Sequence, residues 1–467
     1  MLKTVLHRAT VPQRMRFATA ASSNIHGDSC YDITIVGAGA AGLALATALK
    51  AKPETRSLKI AVVDRLKVTD LENWTPTNFS NRCSSVVGCN REFMKEIGAW
   101  ENVRHDRIQP FRHVQAWDGI TDSVIHLDQT DKNDSMAFMT ENVNILSAFV
   151  KTLLQYNGSN PVDFIMRSNI ENITLDPETK HPVLTIANVG TISTKLLVGA
   201  DGRNSLVRSA AGIELPGWSY NTSAVVGTLS IEAPDDPCIG YQRFLPTGPI
   251  AFLPLPGNNA SFVWSTRPHI ANFLLQLPAP TFVHMLNASF RLREVDLEYL
   301  YKMDPTKPEP INEQIEWRLN MTVPKVRPPP LVTSILPKSR AAFPLRLAHA
   351  DTYVKERLAL IGDAAHNTHP LAGQGLNSGL RDAKSLANAL TFAVEHGQDV
   401  GSMFSLQPYV RERYYNNHYV LGIVDKFHKL YTTKNPFVVG IRSLGVSTLD
   451  ILKPIKKRIV RNVSAGL

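Results

Sequence analysis

Apolar residues in this chain gather in short runs that stop abruptly at glycine or aspartate. The runs at 33–36, 58–64, 196–198 and 358–361 are each about as long as a buried strand. An Ala/Leu-rich segment with helical spacing follows the first run, and the second run comes directly after that segment. This strand–helix–strand order predicts an α/β fold with a Rossmann-like unit.

Between residues 216 and 339 the pattern changes to alternating apolar and polar positions. The segment AVVGTLSIE (224–232) and the hairpin-like IAFLPLPGNNASFVWS (250–265) predict an antiparallel sheet. The Pro-rich, charged stretch DPTKPEPINEQ (304–314) is typical of a surface insertion. Helical spacing dominates from residue 401 onward, so we expect a helical C-terminal region.

Composition limits the classes of protein that this chain can be. Its 467 residues exceed one compact core, so two packed domains are expected. Its 43% apolar and 19% charged residues are typical of a globular chain, which excludes a disordered one. The four cysteines include no C-x-x-C pair, so neither a zinc site nor a disulfide framework is expected. No stretch reaches the roughly 20 apolar residues of a spanning helix, so a membrane contact would be peripheral.

The two ends of the chain are basic. Residues 1–27 carry four Lys or Arg and no acid, a composition typical of a mitochondrial transit peptide, which we predict over residues 1–28. An ordinary disordered basic tail is the alternative. At the other end, DILKPIKKRIVRNVSAGL would gather Leu452, Ile455, Ile459 and Val463 into one apolar stripe on a helix, beside five cations. Such a helix could bind a membrane surface, but a solvated tail or a helix docked on the protein itself fits the pattern equally well.

The first glycine motif suits a dinucleotide. In YDITIVGAGAAGLALATAL, Gly37 makes a tight turn, Gly39 lets the backbone approach a pyrophosphate, and Gly42 lets helix and strand pack closely. The helix N-terminus supplies free N–H groups for the phosphates. The second strand ends at Asp64, where an adenosine ribose needs a carboxylate.

Two further polar segments follow apolar strands. GADGRNSLVR (199–208) carries Asp201 and Arg203, although Asp-Gly alone is a common turn. In GDAAHNTHPLAGQGLNSGLRDA (362–383), Asp363 stands at a strand end and can accept a hydrogen bond from a polyol. The backbone N–H groups around Gly375, Leu376 and Asn377 open a helix and can receive an anionic oxygen. His366 and His369 lack a third ligand nearby, so we predict no metal site.

Together these three motifs resemble the fingerprints of the single-component flavoprotein aromatic hydroxylases, and the resemblance spans about residues 31–425. The segments HPLAGQGLN and GPIAFLPLPGNNASFVWS are most similar to the ubiquinone-biosynthesis branch of that family. The basic leader is similar to that of its mitochondrial member. The resemblance implies a discontinuous FAD-binding domain (29–215 and 340–400), a substrate-binding sheet domain (216–339) and a C-terminal helical region (401–467).

The resemblance also assigns roles to residues. It implies that Asp64 holds the adenosine ribose and Asp363 the ribityl chain. Asp201 and Arg203 would lie near the FAD pyrophosphate and the groove for a nicotinamide reductant, and Arg82 beside the flavin phosphates. Gly373 through Asn377, including Gly375 and Leu376, would cover the pyrimidine edge, and Pro370 would stand where oxygen reacts. No catalytic base can be named, and Glu141-Asn142 cannot be aligned to a flavin contact.

The activity implied is hydroxylation by a flavin C4a-hydroperoxide at the 5-position of a 3-polyprenyl-4-hydroxybenzoate or a related prenylated phenol, with O2 as cosubstrate. Only one full dinucleotide fingerprint is present, so a nicotinamide would use a shallow groove or be absent. The resemblance to the mitochondrial branch implies a ferredoxin and its reductase as electron donors. We further expect other ubiquinone-biosynthesis proteins as partners in a complex, no nucleic acid, and a peripheral place on the matrix side of the mitochondrial inner membrane.

Three other functions remain open on the sequence. The first is a flavoprotein of the same fold with different chemistry, such as prenyl reduction, halogenation or another aromatic hydroxylation. The second is a non-catalytic, FAD-bearing scaffold of the biosynthetic complex. The third is an FAD-free regulator that shelters prenyl groups.

Overall fold

The computed structural model of the protein describes residues 17–18, 29–129, 134–156, 158, 160–367 and 374–465. Three residues singled out in the sequence, Pro370, Gly373 and His369, lie outside these ranges, as does most of the predicted leader.

The described residues form strands and helices throughout. The strands are β1 (Phe17–Ala18), β2 (Ser29–Val36), β3 (Ile60–Asp64), β4 (Cys83–Val87), β5 (Gln109–Phe111), β6 (His113–Asp118), β7 (Val124–Asp128), β8 (Ala137–Glu141), β9 (Asp163–Met166), β10 (Ile170–Leu175), β11 (Pro182–Ile186), β12 (Gly190–Gly199), β13 (Gly217–Ile231), β14 (Ile239–Leu245), β15 (Gly248–Leu255), β16 (Asn259–Thr266), β17 (Val332–Ile335), β18 (Ala341–His349), β19 (Val354–Lys355), β20 (Leu358–Leu360) and β21 (His366–Asn367). The helices are α1 (Ala40–Ala51), α2 (Val68–Glu72), α3 (Gly88–Glu96), α4 (Asn142–Leu154), α5 (Leu206–Ala210), α6 (Pro268–Gln276), α7 (Ala279–Ser289), α8 (Glu294–Leu300), α9 (Pro308–Met321), α10 (Gln374–Glu395), α11 (Met403–Thr432), α12 (Pro436–Ile451) and α13 (Lys453–Ala465).

The first sheet has a parallel core. Its strand order is β1-β9-β3-β2-β12-β11-β10, and β20 pairs with β12 and β19. The pairs β9–β3, β3–β2, β2–β12 and β12–β20 are all parallel, and the apolar runs predicted from the sequence fill them. Ile33, Ile35 and Val62 are fully buried, and each such side chain contributes about 1.5–3 kcal/mol to folding. Helix α1 packs against α10 and α4 over this sheet. The Rossmann-like unit is therefore confirmed.

The second sheet is mostly antiparallel, as predicted, and has the order β21-β18-β13-β16-β15-β14-β6-β7, with β17 beside β13. It also includes β6, which pairs parallel with β14 although it precedes the 216–339 segment. On one face, Phe252, Phe262 and Trp264 pack against the layer of helices α6–α9. On the opposite face, Leu253 and Leu255 join a cluster that includes Val87 of β4, Phe111 of β5 and Met139 of β8. The domain limits given above stay a prediction.

The stretch 304–314 lies largely at the surface, as expected, but the expectation that it contributes nothing to the core was wrong. Residues 308–314 begin helix α9, and its Ile311 and Ile315 are buried in the core of the helical layer. The Pro-rich composition hid this helix because proline is tolerated in a first helical turn, where its missing N–H has no partner to lose.

The C-terminal helices pack on the second sheet and on the small sheet that contains β4. Arg442 of α12 is buried against Asp118 at the end of β6, with a 2.6 Å hydrogen bond from Nε to Oδ2. Val460 of α13 joins the cluster that contains Val87 and Leu255. Among the described residues, no helix has the length and apolar character needed to cross a bilayer. A third, small sheet of β4, β8 and β5 lies between the units.

Candidate functional site

The first glycine motif forms the turn between β2 and α1. Gly37 has a φ of +113°, which L side chains rarely adopt, and a Cβ there would clash with the carbonyl oxygen of Ala200. A Cβ on Gly42 would likewise clash with the carbonyl oxygen of Gly37. These two glycines therefore let the turn pack tightly against the end of β12.

Gly39 has a different role. A Cβ built on it meets no atom within 4 Å, so the space beside this turn is open. Gly39 is also the N-cap of the 12-residue helix α1, and no side chain caps that helix. Its first-turn N–H groups are thus available to an anion, and the dipole of the helix favours one.

Asp64 ends β3 beside this turn. Its Oδ2 accepts a 2.6 Å hydrogen bond from the Ala38 N–H, and its Oδ1 accepts one of 2.8 Å from the Leu66 N–H. The carboxylate is therefore held at the glycine turn, and each oxygen keeps a lone pair that can accept from a ribose hydroxyl.

The GADGRNSLVR segment joins the turn at the end of β12. Oδ2 of Asp201 accepts a 2.6 Å hydrogen bond from the Leu206 N–H at the start of α5, whereas its Oδ1 is buried and has no hydrogen-bond partner among the described residues. Arg208, to which the sequence analysis gave no role, is buried and donates to the carbonyls of Ala364 and Arg203, both at 2.9 Å. Arg208 thereby ties this segment to the one that carries Asp363.

Asp363 follows β20 in a turn that packs on α1. Gly362 has a φ of +61°, and a Cβ there would lie 3.2 Å from the Ala41 Cβ. The Asp363 side chain is reachable by solvent but surrounded by protein on most sides. This desolvation raises its pKa, although His366 and Arg203 oppose the shift. No described residue makes a hydrogen bond to its carboxylate, so the carboxylate is available to a ligand.

The start of α10 lies next to Asp363. A Cβ on Gly375 would be 4.0 Å from the Asp363 Oδ1, and Leu376 is half-buried against the first core. Asn377 is fully buried, and its side chain accepts from the Val87 N–H at 3.2 Å and donates to the Ser85 carbonyl at 2.7 Å. Because its amide holds β4 in place, a contact from Asn377 to a cofactor would come from its backbone.

Arg82 lies on an exposed loop that a buried ion pair holds in place. Glu141 is fully buried, and its Oε2 accepts a 2.9 Å hydrogen bond from Arg107 Nε. Its Oε1 accepts from the Ser80 N–H at 2.5 Å, and the Arg82 carbonyl accepts from the Asn142 N–H at 2.9 Å. Sequence reasoning missed Arg107, and the structure gives Glu141 a positioning role for the Arg82 loop.

A second buried network supports the Asp363 turn from behind. Asp382 of α10 accepts from the Gly362 N–H at 3.0 Å and from Arg413 Nε at 2.9 Å, and it lies 2.5 Å from His366 Nε2. Burial alone would raise the pKa of Asp382, but His366 and Arg413 outweigh burial and hold it well below its usual value. Within the described ranges, no three His, Cys, Asp or Glu side chains gather as metal ligands.

These residues fit a bound FAD. Three segments distant in sequence meet at the carboxyl edge of the parallel strands, which is where doubly wound folds bind dinucleotides. The open space at Gly39 suits a phosphate, the Asp64 carboxylate suits sugar hydroxyls, and the Asp363 carboxylate suits the hydroxyls of a polyol. The role of each residue toward FAD stays a prediction.

Comparisons with known proteins agree with this geometry. The family described as "FAD binding domain" matches residues 30–415. "Ubiquinone biosynthesis monooxygenase COQ6, mitochondrial" of Schizosaccharomyces pombe is 52% identical over 447 residues, which cover 94% of this chain and 92% of that protein. The proteins of the same name are 40% identical in Saccharomyces cerevisiae (95% of each chain) and 35% identical in Homo sapiens (93% and 92%).

Two solved structures share the fold at low identity. p-Nitrophenol 4-monooxygenase PnpA from Pseudomonas putida superposes with a TM-score of 0.67 at 14% identity, covering 93% of this chain and 98% of that one. PqsL, a probable FAD-dependent monooxygenase from Pseudomonas aeruginosa, superposes with a TM-score of 0.65 at 18% identity, covering 90% and 99%.

Proposed function

This chain belongs to the mitochondrial ubiquinone-biosynthesis monooxygenases of the FAD-binding family, and from that premise we propose that it hydroxylates the 5-position of 3-polyprenyl-4-hydroxybenzoate or a related prenylated phenol. The expectations of an FAD cofactor and of an aromatic monooxygenase are confirmed. The ring position, the prenylated substrate and the route of oxygen transfer are the proposal.

The observation that supports the proposal is the contact between the loop that carries Arg82, which is predicted to lie beside the flavin, and the second sheet. Thr228 of β13 donates a 3.0 Å hydrogen bond to the Ser80 carbonyl, and Asn81 donates one of 2.7 Å to the Ser339 carbonyl. The loop that carries Arg82 is thus fastened to the sheet. A ring held on this sheet face would lie beside the cofactor.

An apolar strip on the same sheet face suits a prenyl tail. Side chains alternate along a strand, so Val226 faces the same way as Thr228. Val226 pairs with Val263 on one side and Ala341 on the other, and Phe343 lies next along β18 with an exposed ring. An isoprenoid chain laid along this strip would bury apolar surface at about 25 cal/mol per Å².

Reduced FAD supplies the chemistry, because it activates O2 for transfer of a hydroxyl group to an electron-rich ring. The protein then has to bind the ring, orient its 5-carbon toward the flavin and exclude water. The phenol of the substrate itself activates the ortho carbon, and we assign no residue as a base.

The test is to feed ring-labelled precursors to cells that lack the protein and to identify the accumulated intermediate by mass spectrometry. We expect a prenylated 4-hydroxybenzoate without the 5-hydroxyl, and its conversion when the wild-type gene is restored. An accumulated intermediate that already carries this hydroxyl would refute the proposal and favour other chemistry on the same fold.

We also propose that the protein works peripherally on the matrix side of the inner membrane, with other ubiquinone-biosynthesis proteins, and receives electrons from a ferredoxin and its reductase. The mitochondrial names of the relatives, the basic leader at residues 1–28 and the single dinucleotide fingerprint support these points.

A further inference from the structure

A cavity of about 300 Å³ lies beside the second sheet and its layer of helices, apart from the glycine-rich turns. Its walls come from the ends of β6 and β14 and from two segments of the helical layer, residues 290–295 and 322–326. Trp117 and Arg243 are the strand residues that line it.

This cavity is on the sheet face opposite to the proposed substrate strip. Along β14, Tyr241 and Leu245 pack into the core with helices α6–α9, so Arg243 between them points to the same helical side. Thr228, which bonds the Ser80 carbonyl, faces the other way. A ligand in this cavity would therefore not compete with one beside the flavin.

Arg243 is a buried cation that forms no salt bridge with any carboxylate of the described residues. Arg243 is only 3% exposed. Its Nη1 donates to the Ser289 carbonyl at 2.8 Å, and its Nη2 donates to the Gly119 carbonyl at 3.4 Å. Its Nε–H is buried and has no acceptor in the described part of the chain. Burial lowers the pKa of this guanidinium, which means that its charge is poorly solvated. An anion at this N–H would supply the missing acceptor and would bring a negative charge closer than Asp122, Asp118 and Glu294, which act on the guanidinium without bonding to it.

The charges that line the cavity add to this attraction. Arg291, Arg293 and Lys325 line it together with Arg243, against only two acids, Asp122 and Glu294. Lys434 pairs with Glu294, Asp122 faces Lys325 at 3.9 Å, and Arg293 pairs with Asp296 at 3.2 Å. Arg243 and Arg291 make no salt bridge with a described carboxylate, so the cavity keeps an excess of positive charge.

The remaining walls suit a flat apolar body. The rings of Trp117 and Phe290 lie with their centroids 6.1 Å apart, and Leu292, Val323 and Pro324 complete the apolar lining. An apolar cavity of about 150 Å³ can hold a benzene molecule, so this volume has room for a benzene ring with one charged substituent.

We propose that this cavity is a binding site for an aryl carboxylate, whose carboxylate accepts from Arg243 Nε–H while its ring lies against Trp117 and Phe290. The charge-assisted hydrogen bond supplies specificity for the anion, and the aromatic walls supply apolar burial. The site is separate from the proposed hydroxylation.

The test measures binding of benzoate, and of its neutral isostere benzamide, to the FAD-loaded full-length protein by calorimetry, with the flavin absorbance spectrum recorded in parallel. We expect benzoate to bind, benzamide to bind about tenfold more weakly or less, and the flavin spectrum to stay unchanged. Equal binding of the two probes, or no binding of benzoate, would overturn the site.

Variants separate this cavity from the flavin cleft. Arg243→Gln should weaken benzoate at least about tenfold, and Lys325→Gln about two- to threefold, because Lys325 is exposed and its charge is screened. Lys307→Gln is the matched control, since Lys307 is similarly exposed, faces Asp304 at 3.8 Å and does not line the cavity. If Arg243→Gln fails to fold, Lys325→Gln decides alone. Unchanged affinity in Lys325→Gln, or benzoate binding that perturbs the flavin spectrum, would refute the proposal.

Discussion

Asp363 and Asp382 lie in opposite environments, although both belong to the segment that follows β20. Asp363 can be reached by solvent, but the protein around it desolvates its carboxylate and raises its pKa. Asp382 is buried, and His366 and Arg413 lower its pKa. A carboxylate with free oxygens can serve a ligand, and one whose oxygens hold the fold cannot. We therefore expect substitutions at the two positions to separate cofactor binding from stability.

Asp363→Ala should weaken retention of FAD by about 1–3 kcal/mol, because the variant loses a hydrogen bond to the ribityl chain. It loses no hydrogen bond between this carboxylate and a described residue of the protein. The measurement is the FAD dissociation constant, from flavin fluorescence on dilution, with the unfolding free energy as a second readout. Asp235→Ala, which removes an exposed carboxylate paired with Arg327, is the control. Full FAD occupancy and unchanged affinity in Asp363→Ala would contradict the assignment.

His349 should make the stability depend on pH. Burial, together with the nearby His366 and His418, lowers its pKa from 6.5 to about 4. The unfolded chain therefore takes up a proton near pH 6.5 that the folded chain refuses until about pH 4. Stability from this group is fully present above pH 6.5 and is lost as the pH falls toward 4, by roughly 3 kcal/mol in all.

Urea unfolding measured between pH 4 and 7 should reveal this loss, and His349→Gln should flatten the slope in that window. His396→Gln, at an exposed residue at the end of α10, should keep the slope of the wild type. An identical pH dependence of the wild type and His349→Gln would show that His349 does not cause it.

The site residues that the sequence predicted are those whose partners are close in the chain or that belong to a known motif. Gly37 and Asp64 are examples, since the turn and the acid belong to one strand–helix–strand unit. Arg208 was missed because its partner, the Ala364 carbonyl, is 156 positions away, and nothing local to Arg208 indicates that contact. Arg243 was missed for a different reason. The sequence does not show that its Nε–H is buried without an acceptor, and only the structure does.

At the scale of elements, helix α13 carries most of the segment 450–467, for which the sequence left a membrane-binding helix and a docked helix open, and helix α12 precedes it. Helix α12 leaves Phe437, Ile441 and Leu444 at 75%, 59% and 70% exposure, while Arg442 between them faces the protein. Helix α13 turns Val460 inward. The alternative of a helix docked on the protein's own surface therefore holds for part of α13, and much of the exposed apolar surface lies on α12.

Deleting residues 451–467 should leave FAD bound but lower binding to cardiolipin-containing vesicles, and added salt should mimic part of the loss, because exposed cations of α13 attract anionic lipid. Vesicle co-sedimentation at low and high salt measures this. Since the deletion also removes the buried Val460, the double variant Lys457→Gln/Arg458→Gln tests the charge alone.

The control for that variant is Lys307→Gln/Lys338→Gln, which removes two exposed cations from the second unit. It should bind vesicles like the wild type. If the truncated and intact proteins bind vesicles equally, the C-terminal helices are not the membrane contact.

At the scale of the whole molecule, the chain carries one dinucleotide motif, at Gly37–Gly39–Gly42, and the later GQGLNSG segment has the wrong spacing for another. A nicotinamide would therefore have to use a shallow groove. With the ferredoxin donor proposed above, we expect NADPH alone to reduce the bound flavin slowly, and a ferredoxin with its reductase to reduce it rapidly. Anaerobic stopped-flow absorbance of the flavin compares the two donors. Rapid bleaching by physiological NADPH without ferredoxin would overturn the choice of donor.

The order of strands in the first sheet sets when the cofactor can bind during folding of the chain. β2 lies between β3 and β12, and β12 pairs with β20, so neighbours in space come from residues 29–36, 60–64, 190–199 and 358–360. The turn at Asp363 is supported by Asp382, which Arg413 holds in turn, so almost the whole chain must be in place first. We therefore expect FAD uptake to be a late event, and a chain that ends before Asp382 but retains Gly37 to stay colourless. Because FAD binds only the completed fold, raising its concentration should rescue variants destabilised anywhere among these strands, by mass action.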